Sequence, residues 1–203
     1  MSKKIAFAFS GSFCNFKKIT EALNYLSFAE DGNGKYKYDI TPIFSENVQT
    51  VDTRFGKADD FMLKIETLCG KKGIKTIADA ESTVTKGEFD CLVVAPCTGN
   101  TLSKIARAVT DTTVTMAVKA QLRNRRPVLI GFASNDGLAG SLQNIASLLE
   151  RKNIYFIPLG QDDPENKPTS LICDFDLLEV SLENAFEGRQ TEPLIICGRK
   201  GDK

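Results

Sequence analysis

Short apolar runs alternate with helically spaced apolar residues along most of this 203-residue chain. Apolar runs bounded by polar or turn residues predict buried strands, whereas apolar residues three and four positions apart predict helices. The predicted strands are residues 5–9, 38–44, 90–95, 127–133 and 154–157. The predicted helices are residues 16–28, a segment around 61–68, 100–109, 114–122, a segment ending at 149, and 176–186. Strand and helix therefore alternate from end to end.

This alternation is typical of an open, mostly parallel sheet with helices on both faces. We predict a single doubly wound domain over residues 1–203, of the Rossmann or flavodoxin type, with a frayed end at 199–203. Segments 45–56 and 160–170 are polar and are predicted to be loops, the first long enough to suggest a functional role. Pro96 is predicted to end the third strand.

Charge and length narrow the classes of function. Lys and Arg together number 26, as do Asp and Glu, and this zero net charge argues against a dedicated nucleic-acid binder. No apolar segment approaches the roughly 18 residues of a membrane span. The apolar run at the N-terminus ends at Ser10, which is too early for a signal peptide. We therefore expect a cytoplasmic protein that does not contact the membrane.

The chain contains no histidine, which excludes nucleophilic sites of the Ser/His/Asp and Cys/His types. Its six cysteines form no CxxC pair, and three lie in apolar, strand-like settings. This pattern favours free thiols in a reducing compartment and gives no zinc site, so we expect no metal. Proton transfer near neutral pH must then use carboxylates, other side chains or a cofactor.

Polar turns follow three of the predicted strands. Ser10, Gly11 and Ser12 follow the first strand, residues 97–101 (CTGNT) follow the third, and Asn135 with Asp136 follow the fourth. Ligands of open α/β sheets bind beyond the carboxyl ends of the strands, where helix N-termini offer free N–H groups to anions. We therefore predict a site for a phosphorylated cofactor, although ordinary turns with helix caps fit the same residues. The GxGxxG and GK[ST] fingerprints are both absent.

The turn at residues 96–101, PCTGNT, resembles the Pro-Ala-Ser-Ala-Asn-Thr motif of the homo-oligomeric flavin-containing cysteine decarboxylase family of flavoproteins, whose members bind FMN. The resemblance implies FMN as cofactor and a homo-oligomer based on trimers. It implies phosphate contacts from the turn after the first strand and flavin contacts from the turn after the third, with Ser45 lining the same pocket. The residues concerned are Ser10, Gly11, Ser12, Ser45, Thr98, Asn100 and Thr101.

The chain also departs from that family. The decarboxylases use an active-site histidine, which is missing here, and their Pro-x-Met-Asn-x-x-Met motif appears only as ASNDGL at residues 133–138. Decarboxylation is therefore not expected. Segments 48–61, 95–112, 119–129 and 152–168 instead resemble a branch of the family that forms one subunit of a two-subunit enzyme. That branch is implied to oxidise 4-hydroxy-tetrahydrodipicolinate to dipicolinate in the mother cell of a sporulating bacterium.

In this branch the partner A subunit is expected to supply NAD(P). A product with two carboxylates needs cations, and Arg54 in the loop after the second strand suits that role, with Lys104 or Arg123 beside it. Asn135 reaches the same crevice, and Asp136, Cys97 or a bound water is needed for proton transfer. The same arginines also fit solvated surface charges. A non-catalytic subunit that completes the partner's pocket and keeps a vestigial FMN site is the alternative function.

Overall fold

Five parallel strands form the centre of the structure, a computed structural model that describes residues 2–196. The strands are β1 (Lys3–Phe9), β2 (Tyr38–Phe44), β3 (Cys91–Cys97), β4 (Val128–Ser134) and β5 (Ile154–Phe156). They pair in the order β2-β1-β3-β4-β5, which is the order of flavodoxin-like folds. All seven residues of β3 are buried, as expected for a parallel sheet covered on both faces. The predicted fold class is confirmed.

Helices pack around this sheet. They are α1 (Phe16–Ser27), α2 (Glu46–Thr50), α3 (Ala58–Cys69), α4 (Ile77–Thr85), α5 (Gly99–Ala106), α6 (Thr113–Arg123), α7 (Leu142–Leu149) and α8 (Leu178–Phe186). Each longer helix buries one apolar stripe; in α1, for example, Ile19, Leu23 and Leu26 face the core. Helix α3 ends at Gly70, whose left-handed φ of 62° closes the helix at low steric cost. No helix among residues 2–196 is long and apolar enough to cross a bilayer.

A short antiparallel hairpin extends the sheet beside the carboxyl end of β4. Its strands are β6 (Leu159–Gly160) and β7 (Leu171–Cys173), and β7 pairs with β4 through Ala133 and Ile172. The sequence predicted only a loop over residues 160–170, because strands of two and three residues carry too few positions to show a period. The hairpin therefore borders the edge of the sheet where the polar turns lie.

Two sequence predictions about local structure were wrong, and one helix was missed. Strand β3 passes through Pro96 and ends at Cys97, because its register with β4 shifts between Val94 and Cys97 and the proline nitrogen needs no ladder partner there. The segment 45–56 is not all loop, since it contains α2. Helix α4 was not predicted, because its mostly polar sequence buries only Ala80 and Val84.

Candidate functional site

The turns after β1 and β3 are joined through Ser10. The Ser10 hydroxyl donates to the Pro96 carbonyl at 2.8 Å and accepts from the Thr98 N–H at 2.9 Å. The Ser10 N–H also donates to the Pro96 carbonyl, at 3.2 Å. Ser10 is buried, so this contact is shielded from water and holds the two turns side by side. The hydroxyl hydrogen of Ser10 is consequently bonded to the Pro96 carbonyl within the protein.

The turn after β2 lies against the turn after β1. The Ser45 N–H donates to the Phe9 carbonyl at 3.1 Å, and a Cβ placed on Gly11 would lie 3.5 Å from Cβ of Asn47. The Ser45 hydroxyl is buried and has no hydrogen-bond partner among residues 2–196. A buried hydroxyl without a partner is costly, so the Ser45 hydroxyl has an unused hydrogen-bonding capacity at the junction.

The turn after β4 completes the cluster. A Cβ on Gly99 would lie 2.8 Å from Oγ of Ser141 and 3.2 Å from Oδ1 of Asp136, so only glycine leaves these groups undisturbed. The hydroxyls of Ser134 and Ser141 both donate to Oδ1 of Asp136. The carboxyl ends of four neighbouring strands thus meet, and the predicted convergence of the three polar turns is observed. We call this set of turns the junction cluster.

The first turn of α5 presents free donors to the junction cluster. The Thr98 hydroxyl accepts from the Thr101 N–H at 3.2 Å and donates to Oγ1 of Thr101 at 3.0 Å, which caps the helix. The N–H groups of Gly99 and Asn100 precede the first intrahelical bond and have no partner within the helix. Within residues 2–196 the exposed Asn100 side chain makes no hydrogen bond. These groups suit an anion or a carbonyl-bearing ring.

Ser12 adds another donor on the β1 side. Its hydroxyl accepts from Nδ2 of Asn15 at 2.8 Å, which leaves its own hydrogen free, and the residue is partly exposed. Together with Ser45 and Thr101, Ser12 gives the cluster three hydroxyl hydrogens that no described residue accepts. Sequence reasoning missed Ser141, which lies seven positions after Ser134 and reaches Asp136 only through the turn that precedes α7.

The two residues predicted to transfer protons occupy different environments. Asp136 is exposed at the cluster, where Ser134 and Ser141 orient its carboxylate. Cys97 has no exposed surface, and burial raises the pKa of its thiol far above the ordinary value. The structure therefore brings the carboxylate of Asp136 to the ligand side of the cluster and keeps the thiol of Cys97 inside the sheet. Asn135 lies beside Asp136, is exposed, and accepts a hydrogen bond through its carbonyl from Thr169.

The predicted cations are dispersed. Lys104 lies in α5, and its ammonium contacts both carboxylate oxygens of Asp111 at 2.9 and 3.0 Å. Arg54 lies in an exposed turn, with its guanidinium 4.9 Å from the ring centroid of Phe55. Arg123 ends α6, which leads into the amino end of β4, and therefore lies at the opposite edge of the sheet. The structure does not bring Arg123 to the junction cluster of the same subunit. Among residues 2–196 no group of three potential metal ligands is present.

A doubly wound domain whose polar turns converge at the carboxyl ends of its strands belongs to the class of open α/β proteins, in which ligands bind in the crevice at that edge of the sheet. Comparison with known proteins narrows that class. Residues 1–180 match the model of the Flavoprotein family, and the chain belongs to this family. It is 38% identical to the B subunit of dipicolinate synthase from Bacillus subtilis (strain 168) over 200 residues, which cover 98% of this chain and 96% of the relative.

Solved structures agree with this assignment. The crystal structure of the dipicolinate synthase B subunit from Bacillus halodurans has a TM-score of 0.83 and 37% identity, covering 97% of this chain and 98% of that one. The FMN-dependent cysteine decarboxylase SpaF has a TM-score of 0.63 at 16% identity, covering 91% of this chain and 97% of its own. At that identity, SpaF supports the fold alone.

Proposed function

We propose that this chain is the flavin-binding subunit of a dipicolinate synthase. It acts with a nicotinamide-binding A subunit to oxidise 4-hydroxy-tetrahydrodipicolinate to dipicolinate in the cytoplasm of a sporulating mother cell. The observation that carries the proposal is the 38% identity to a dipicolinate synthase B subunit across nearly the full length of both chains. Membership of the flavoprotein family supports FMN as the cofactor, and NAD(P) is assigned to the A subunit.

The junction cluster fits the phosphate and ribityl chain of FMN. Its free donors are the hydroxyls of Ser12, Ser45 and Thr101 and the first N–H groups of α5. The carboxylate group of Asp136 lies beside Gly99, which disfavours a phosphate on the β4 side of the cluster. We therefore place the phosphate towards Gly11 and Ser12, with Asn100 available to the ring. Ser10 acts indirectly: its hydroxyl accepts a hydrogen bond from the Thr98 N–H and so fixes the position of Thr98.

The reaction removes one water molecule and two hydrogens from the cyclic substrate. A bound flavin is able to accept a hydride equivalent, as is a nicotinamide on the partner subunit. This chain must orient the ring and move protons without an imidazole. Asp136 is the exposed carboxylate of the junction cluster, and two hydroxyls fix its orientation. We assign it the role of proton acceptor from the bound substrate, with Asn135 beside it as a positioning group.

Reconstitution with and without FMN tests the proposal. The chain is purified, stripped of any flavin, and titrated with FMN while the absorbance near 450 nm and the flavin fluorescence are followed. Saturable binding, together with synthase activity of the two-subunit enzyme that rises on adding FMN, is the expected result. Asn100→Ala combined with Thr101→Ala removes two ligand donors and should weaken FMN binding by about 10-fold or more. Ser147→Ala, an exposed serine of α7, is the matched control. Absence of any spectral response contradicts the flavin assignment.

A second function is favoured by the hydrogen bonds of the cluster itself. The hydroxyls of Ser10 and Thr98 donate to groups within this chain, so fewer donors remain for FMN than the family motif suggests. In that case the chain completes the pocket of its partner, and all redox chemistry occurs on the nicotinamide. Activity that requires this chain but is unchanged by FMN and by the Asn100 and Thr101 double substitution would support it. A large loss of turnover in that double variant supports the catalytic proposal.

We also infer a homo-oligomer built from trimers, as the family resemblance implies. Sedimentation analysis of the chain, alone and with the A subunit, gives the mass of each assembly. A trimer or a multiple of three is the expected result, and a monomer at micromolar concentration contradicts it.

A further inference from the structure

A cavity next to the junction cluster, but separate from it, is walled by aromatic rings. It has a volume of about 370 Å³ and lies between the start of α1, the segment 51–57 and α3. We call it the phenylalanine cavity, after Phe13, Phe16, Phe55 and Phe61 in its lining. Small-molecule sites commonly occupy roughly 300–1,000 Å³, so this volume suits a single small ring compound.

The walls of the cavity are held by ring–ring contacts. Phe16 and Phe61 stack with centroids 3.8 Å apart and planes at 16°, and Phe13 meets Phe16 edge-on at 5.2 Å. Phe55 is different, because 53% of its surface is exposed at the edge of the cavity. Aromatic side chains favour planar partners in stacked or edge-to-face arrangements. An exposed phenylalanine beside a preformed aromatic wall therefore suits a flat ligand.

Positive charge surrounds these rings. Lys17, Lys57 and Lys64 line the cavity, and none of them forms a salt bridge within residues 2–196. The lining contains one carboxylate, that of Asp60. Arg54 adds a further cation just outside, against the ring of Phe55. Three lysines against one carboxylate leave an excess of positive charge that complements a ligand with two negative charges.

The cavity also borders the junction cluster. Phe13 follows Ser12 directly, and its ring lies 3.4 Å from the position that a Cβ on Gly11 would take. A ring held among the phenylalanines is therefore adjacent to the turn where we place the FMN phosphate. Because the two sites are adjacent but separate, one subunit has room for both a cofactor and a second ligand.

We propose that the phenylalanine cavity binds the planar dicarboxylate product of the synthase reaction, pyridine-2,6-dicarboxylate. The proposal rests on the function proposed above, and it assigns a product site to residues outside the junction cluster, where Asp136 acts on the substrate. The ring of the ligand packs against Phe55 and the aromatic wall, while its two carboxylates contact the lysine ammonium groups. The sequence suggested Arg54 as a carboxylate ligand. Its guanidinium lies against the ring of Phe55 at the rim of the cavity, where it adds to the positive charge around the ligand.

Calorimetric titration with pyridine-2,6-dicarboxylate tests this assignment. The full chain is used alone and with the A subunit, in metal-free buffer, because this dicarboxylate chelates divalent cations. Saturable binding is expected, with affinity about fivefold or more weaker in Lys57→Gln, in Lys64→Gln and in Phe55→Ala. Pyridine-2-carboxylate, which has a single charge, should bind about 10-fold or more weakly than the dicarboxylate. Lys119→Gln and Phe28→Ala, which alter an exposed lysine and an exposed phenylalanine elsewhere, are the controls.

The outcomes separate this inference from the proposed function. If the chain binds FMN but shows no dicarboxylate binding, alone or with its partner, the cavity assignment is overturned while the flavin assignment stands. Equal dicarboxylate affinity in the wild type and in all three cavity variants also overturns it. If FMN does not bind but dicarboxylate binding depends on Lys57, Lys64 and Phe55, the cavity assignment stands and the flavin assignment fails.

Discussion

The Thr98 N–H donates a hydrogen bond to the Ser10 hydroxyl at 2.9 Å, across 88 positions of the sequence. This bond joins the end of β1 to the start of α5, and the same hydroxyl donates onward to Pro96. The family resemblance pointed to Ser10 as a phosphate ligand, whereas its hydrogen atom is directed into the protein. Its principal structural effect is to hold two ligand-binding turns at a fixed separation.

Ser10→Ala should therefore lower the stability of the whole domain. Without the buried Ser10 hydroxyl, the Thr98 N–H loses its acceptor and the Pro96 carbonyl loses one donor. The lost hydrogen bonds should lower the free energy of unfolding by about 1–3 kcal/mol. Urea unfolding followed by circular dichroism measures the loss. Ser147→Ala, on the exposed face of α7, should change stability by less than about 0.5 kcal/mol. Equal stabilities for the two variants would show that the Ser10 bonds do not hold the turns together.

Two glycines of the cluster should respond differently to alanine. A Cβ on Gly99 would lie 2.8 Å from the Ser141 hydroxyl, whereas one on Gly11 would meet its nearest atoms at 3.4 Å. Gly99→Ala should therefore displace the hydroxyl that orients Asp136 and cost about 1–3 kcal/mol through overpacking. Gly11→Ala should remain close to the wild type. Thermal unfolding of both variants checks this, and a larger loss in Gly11→Ala would contradict it.

The sequence predicted β1 to β4 to within two residues because strands buried on both faces are continuous apolar runs. It also placed the polar turns at one edge, since carboxyl ends of parallel strands share that edge. The hairpin of β6 and β7 depends instead on pairing with β4, and nothing local encodes that pairing. The position of Arg123 could have been predicted from the topology. The helix that precedes a parallel strand ends at the edge of the sheet where that strand begins, opposite the edge with the polar turns.

The finer structure of the site depended on contacts distant in sequence. The fully buried thiol of Cys97 follows from the continuation of β3 past Pro96, which local propensity argued against. The orientation of Asp136 by Ser141 follows from the turn before α7. The phenylalanine cavity was not predicted, because Phe13, Phe55 and Phe61 belong to three separate segments and each alone is consistent with a core residue.

Asp136→Asn should impair the reaction while preserving the fold. The amide oxygen still accepts hydrogen bonds from Ser134 and Ser141, but it no longer accepts a proton from substrate. We expect a fall in turnover of the two-subunit enzyme of about 100-fold or more, with unchanged FMN affinity. Asp163→Asn is the matched control, since it also keeps an acceptor, here for Asn166, on an exposed loop. Undiminished turnover in Asp136→Asn would remove this residue from proton transfer.

Thiol reactivity should follow burial. Cys14 is exposed, whereas Cys91, Cys97 and Cys173 are buried; burial raises the pKa of Cys69 to about 12. Because the thiolate is the reacting form, Cys14 should be modified much faster than these four. The sixth cysteine, Cys197, lies outside the described residues. In a neutral-pH assay with a disulfide reagent, Cys14→Ser should remove one rapidly reacting equivalent, and Cys97→Ala should remove none. Rapid loss of the Cys97 thiol would mean that β3 opens in solution.

Glu66 should make stability depend on acidity. Burial alone would raise the pKa of its carboxyl, but hydrogen bonds from the Lys72 ammonium at 2.8 Å and the Gly73 N–H at 3.0 Å, with Lys75 nearby, lower it to about 2. A carboxyl whose pKa is lower in the folded state than its ordinary 4.5 stabilises the fold above pH 4.5. That contribution is lost as the pH falls from about 4.5 towards 2.

Glu66→Gln should consequently be less stable than the wild type by about 1 kcal/mol at neutral pH, because the solvent-exposed Lys72 limits the strength of the pair. The difference should shrink steadily below pH 4.5, as the wild-type carboxyl becomes protonated in both the folded and the unfolded states. Denaturant unfolding between about pH 3 and pH 7 measures it. Glu81→Gln, an exposed residue of α4, should show no such dependence. A Glu66→Gln difference that is constant with pH would mean that packing, rather than the charge, accounts for the effect.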